Sequence, residues 1–98
     1  MLEVIVHPEA EAELHAATDF YNERRSGLGY ALATEISQSL EVISQHPCAW
    51  PELEPGLRKK VLKRFPYNII GVKADHVRIL ALMHQRREPN YWRERDDD

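Results

Sequence analysis

"LRKKVLKRFPYNIIGVKADHVRILALMH", residues 57–84, decides the fold, because it reads as three strands in succession. The first, 57–65, alternates imperfectly and carries bases at Arg58, Lys59, Lys60, Lys63 and Arg64. The second begins after Pro66, since proline punctuates rather than continues a central strand. Residues 73–75, "KAD", make the turn into "HVRILALMH" at 76–84. That last run is apolar at nearly every position, which places it inside a sheet rather than at an edge. Side chains alternate along a strand. Arg78, Leu80, Leu82, His84 and, if the strand continues, Arg86 are therefore expected on one face.

Upstream the pattern changes period. "LEVIV", residues 2–6, is a short β-branched strand, and Pro8 suits the first position of a helix. Ala10, Leu14, Ala17 and Tyr21 recur at helical spacing until Gly27. Glu9, Glu11 and Glu13 in the first turns favour the helix dipole, as do Arg24 and Arg25 at its end. A second helix carries Leu28, Leu32, Ile36, Leu40 and Ile43 on one side and stops at Pro47. "HPCAWPELEPG", 46–56, holds three prolines and a glycine and reads as a loop. The order is β-α-α-β-β-β: an α+β domain with a helical hairpin packed on one face of a mostly antiparallel four-stranded sheet. One domain is expected over 1–98, with 96–98 a frayed acidic tail.

Composition narrows the setting. A single cysteine, Cys48, forms no intrachain disulfide and offers no ligand pair, which suits a reducing compartment. The N-terminus turns acidic within nine residues and lacks a basic leader region, and no apolar run is long enough to span a bilayer. A cytoplasmic protein without membrane contact is expected. The net charge of −3 conceals a division. Residues 1–56 hold ten acids against Arg24 and Arg25, a balance of −8, whereas 57–95 hold eleven bases against Asp75, Glu88 and Glu94, a balance of +8. Such segregation points either to a polyanionic or acidic partner or to two solvated surfaces side by side.

No phosphate-binding glycine loop, nucleophile elbow or zinc-protease motif occurs, and the histidines lack ligand spacing. Neither a metal nor a cofactor is expected. What remains is the basic sheet and the tip "HQRREPNYW", 84–92. Arg78, Arg86 and Arg87 suit phosphate or carboxylate recognition, Tyr91 and Trp92 suit stacking, and His84 suits proton transfer near neutrality. Each has a structural alternative. His84 serves equally as a hydrogen-bonded strand-end residue, Tyr91 and Trp92 fold back to cap the core, and Arg86 and Arg87 pair with the acidic helices.

Five stretches in register carry a likeness: "HPEAEAEL" (7–14), "YNERRSGLG" (21–29), "HPCAWPEL" (46–53), "LRKKVLKRFPYNII" (57–70) and "HQRREPNYWRER" (84–95). Together they resemble the RelE/ParE superfamily of toxins from type II toxin–antitoxin modules, the group that includes plasmid-stabilisation proteins. The resemblance implies a small toxin neutralised by a cognate antitoxin in a hetero-oligomer. Its target would be either DNA gyrase or the ribosome and mRNA. In the ribosome-dependent mRNA endonucleases of the superfamily, a basic residue follows the tyrosine opening the third strand. Here that tyrosine corresponds to Tyr67, and Asn68 follows it. A second basic position falls on Val61, with Lys59 two residues back. Arg86 or Arg87 and Tyr91 correspond to a late arginine and tyrosine, at unusual spacing. The nuclease set, Arg58, Lys59, His84, Arg86 and Tyr91, is thus partial. Losing one transition-state contact costs about 10²–10³ in rate. The gyrase-inhibiting ParE-like branch needs only a binding surface and is favoured; Arg78, His84, Arg86, Arg87, Tyr91 and Trp92 are the candidates for contacting the target or the antitoxin. The alternatives are the nuclease and a non-toxic relic that binds an antitoxin.

Overall fold

A computed structural model describes residues 2–97. Strand β1 (Val4–Val6) leads into helix α1 (Pro8–Arg24), whose first turn is capped by His7 Nδ1 accepting from Glu9 N at 3.1 Å. Gly27, at φ +87°, turns the chain into α2 (Leu28–Gln45). The hairpin closes tightly at Gly29, where a Cβ would lie 2.0 Å from the Thr18 carbonyl oxygen. Then come β2 (Glu52–Glu54), β3 (Leu57–Val61), β4 (Tyr67–Lys73), β5 (Val77–His84) and a short 3-10 segment, Arg93–Asp97.

The sheet runs β1-β5-β4-β3-β2, antiparallel except for the β1–β5 pair. The expected α+β hairpin-on-sheet architecture is present, with five strands in place of four. The additional one, β2, lies in the proline-rich stretch expected to be a loop. Gly56, at φ +83°, supplies the left-handed turn that lets Glu52 and Glu54 pair with Arg58 and Leu57. Its residues are exposed, so no apolar alternation announces it.

A bulge in β5 alters the faces. Ile70 pairs with Ala81, but Gly71 pairs with Ile79, so Leu80 is an extra residue without a partner on β4. The alternation therefore changes phase. Val77, Ile79 and Leu82 enter the core beneath the helices, with Leu32, Ile36, Ile43, Phe65 and Ile69. Leu80, Ala81 and Met83 turn to the opposite face and pack with Leu57, Ile70 and Trp92 in a second, smaller core. The expectation that Arg78, Leu80, Leu82, His84 and Arg86 share a face is thereby overturned. Arg78 and Leu80 lie on the side away from the helices, whereas Leu82 and His84 lie on the helix side.

Candidate functional site

The helical hairpin leaves the second face of the sheet open, and the C-terminal arm beyond His84 covers much of it. Asn90, at φ +78°, reverses the chain, a conformation that asparagine tolerates better than most side chains. The reversal drives Trp92 into the second core, where it is 3% exposed and its indole N–H points to Met83 Sδ at 3.4 Å. Beyond it, Arg93 reaches Glu54 on β2 at 2.6 Å, and Arg78 on β5 donates to the Asp96 carbonyl and carboxylate. The arm therefore crosses the sheet from the edge strand β2 to β5, the neighbour of β1. Asp98 of the acidic tail lies outside the described residues.

One carboxylate organises the arm's attachment. Glu13 of α1 accepts Arg95 Nη1 at 2.8 Å, the Tyr91 hydroxyl at 2.7 Å and the Leu82 N–H at 3.2 Å. Arg95 Nη1 also donates to the Leu80 carbonyl at 2.9 Å. Leu80 and Leu82 lie on β5 just past the end of β1, so Glu13 and Arg95 satisfy backbone groups that a longer β1 would have taken. Burial disfavours the charge on Arg95, but pairing with Glu13 outweighs it, and its pKa lies above the ordinary arginine value. Tyr91 sits between two guanidinium groups, Arg87 at 3.7 Å and Arg95 at 5.1 Å from its ring centre. Burial, reinforced by the Glu13 acceptor, raises its pKa far above the ordinary phenol, so the hydroxyl is a fixed donor.

The candidate residues do not converge. On β3, Arg58 faces the helix side and spends its guanidinium on the Trp50 carbonyl (2.8 Å), the Cys48 carbonyl (3.3 Å) and Glu52 (3.4 Å). Lys59 lies on the opposite face, paired with Ile70. His84 stands edge-on to Tyr67, ring centres 5.1 Å apart, and its Nδ1 accepts from the Arg86 N–H at 3.0 Å. Tyr91 belongs to the Glu13 cluster, while Arg86 is exposed in the turn. Of the proposed binding set, Trp92 is core, Tyr91 is half-buried, Arg78 is partly engaged by Asp96, and Arg86 and Arg87 remain at the surface. Asn68 is buried and accepts from Gln85 Nε2 at 3.4 Å. Among the described residues no group of three or more His, Cys, Asp and Glu side chains converges, and no helix is long and apolar enough to cross a membrane.

The divided charge of the sequence is used partly within the molecule. Glu9 and Glu13 with Arg95, Glu13 with Arg87, Glu52 with Arg58 and Glu54 with Arg93 all join the acidic N-terminal half to the basic C-terminal half. Glu13 and Arg95 were missed as structural residues. The signal was present: Glu13 lies three residues after Ala10 and four before Ala17, so an acid sits within the apolar stripe of α1.

No family model matches the chain, and no curated protein does. Among solved structures, a chain described as "Chromosomal ParDE TA system from P. aeruginosa" superposes with a TM-score of 0.73. The two are 22% identical, and the match covers 86% of this chain and 96% of that one. The likeness shows that the two chains share a fold.

Proposed function

We propose that this chain is the toxin of a type II toxin–antitoxin module, held inactive by a cognate antitoxin, and that it acts by ParE-like inhibition of DNA gyrase. The fold shared with a chain of a ParDE system supports the toxin assignment. The observation favouring inhibition by binding over mRNA cleavage is the dispersal of Arg58, Lys59, His84, Arg86 and Tyr91. In-line cleavage by a ribose hydroxyl requires a base, an acid and a charge-stabilising donor around one phosphate. Here Arg58 is held by backbone carbonyls, Lys59 is on the other face, and Tyr91 is locked to Glu13.

The target-contacting surface in this reading is the exposed turn Gln85–Asn90 with Arg86 and Arg87, held in shape by the arm packed behind it. Supercoiling by purified gyrase, titrated with purified protein, tests the proposal. Inhibition that saturates, and is reversed by the antitoxin, is expected. Full supercoiling at saturating protein would remove the gyrase assignment. Normal growth on induction, with the fold intact, would point to the relic instead.

A further inference from the structure

The outer edge of β3 is only half covered. Leu62 N–H donates to the Tyr67 carbonyl and Lys73 N–H to that of Gly56, so Arg58 and Lys60 direct their backbone groups toward β4. Lys59 and Val61 direct theirs outward. The Lys59 N–H is taken by the Pro51 carbonyl at 2.9 Å, and β2 pairs no further along than Arg58 and Leu57. The Lys59 carbonyl and both backbone groups of Val61 therefore face out, with no strand beside them among the described residues.

Next to this open edge lies an apolar cleft between the end of α2 and β3, lined by Val42, His46, Ala49, Trp50, Pro51 and Val61. Val42 and Val61 are 45% and 53% exposed. Lys59, Lys60 and Lys63 form no ion pair among the described residues, unlike the arginines of the arm. Glu35, the nearby acid of α2, is turned to the backbone, accepting from Lys63 N at 2.6 Å and Arg64 N at 3.2 Å.

We infer that this edge accepts an acidic, extended segment of a partner protein as a short sixth strand. Unsatisfied N–H and C=O groups supply the ladder, and alternate side chains of the added strand enter the cleft. The lysines select its charge. A second copy of this chain at the same edge would bring two sets of three lysines together. A nucleic acid would satisfy the lysines but leave the cleft and backbone ladder unused. The site is separate from the Gln85–Asn90 turn and holds whether or not the chain inhibits gyrase.

The probe is a capped decapeptide of five Glu-Val repeats, titrated into the ¹⁵N-labelled full chain, with a Lys-Val decapeptide and oligouridylate as competitors. Expected are shifts of the Val61 amide and the Trp50 indole, and slowed exchange of the Val61 amide. Reversing the charges together (Lys59→Glu, Lys60→Glu, Lys63→Glu) should weaken binding about tenfold or more. Val61→Pro should abolish it. That N–H points away from β4, so proline there spares the existing ladder, and this variant carries the test if the triple variant fails to fold. Several results would overturn the inference: no binding at millimolar peptide, equal binding of the Lys-Val peptide, shifts at β1 or the 85–90 turn instead, tighter binding of oligouridylate at this edge, or self-association through it.

Discussion

Replacing Trp92 with alanine removes the largest side chain of the second core and the anchor of the C-terminal arm. Trp92 is 3% exposed and packs with Leu57, Ile70, Leu80, Ala81 and Met83. A buried tryptophan hides roughly 150–250 Å², or about 4–6 kcal/mol at 25 cal/mol per Å² as an upper bound. Tryptophan-to-alanine changes in cores cost about 3–5 kcal/mol. A domain of this size has a total stability of only about 5–15 kcal/mol. A loss of 3 kcal/mol would lower the melting temperature by about 12–24 °C. Urea and thermal denaturation followed by circular dichroism give both quantities. Native-state hydrogen exchange should also show the Arg93 and Arg95 amides losing protection with the arm. A loss below about 1 kcal/mol would refute the buried-anchor reasoning.

The double change Arg86→Ala, Arg87→Ala should cost little by the same measurement, about 1 kcal/mol at most, because exposed charges contribute weakly to stability. It should nevertheless reduce gyrase inhibition; a large melting-temperature drop would make the pair structural. Gly71→Ala should destabilise by about 1–3 kcal/mol or more, since the new Cβ would lie 2.6 Å from Trp50 and 2.9 Å from the Arg78 carbonyl oxygen; an unchanged denaturation midpoint would contradict the close approach. Tyr91 gives a pH signature. Its phenol pKa is raised in the folded state from an ordinary 10.0, so its stabilising contribution is present below pH 10.0 and declines above it, where only the unfolded chain ionises there. Tyr91→Phe should flatten that part of an alkaline stability profile, and an unchanged slope would count against it.

Much of the fold was legible because its period was legible. Ala10, Leu14, Ala17 and Tyr21, then Leu28 through Ile43, could only bury one side as helices. Pro66 and "KAD" separated the strands of the sheet. The bulge was hidden because "ILALM", residues 79–83, is apolar on both sides of the strand, so a slip by one residue leaves no trace in the pattern. That slip put Arg78 and His84 on opposite faces and dissolved the expected shared surface. Trp92 was ambiguous for another reason: charged neighbours in "NYWRER" suggest exposure, while the pocket that takes it is formed by three distant strands. The acidic and basic halves looked like a surface for a partner, yet Glu13, Glu52 and Glu54 direct part of that charge inward to Arg95, Arg58 and Arg93. Pairing across such sequence distances has no local signature.

Inhibition without cleavage is most directly tested by primer extension on translated mRNA from cells expressing this chain or its His84→Ala variant. Expected is growth arrest by the parent chain with no cuts at the ribosomal A site from either protein. Cuts present with the parent chain and lost with His84→Ala would contradict it.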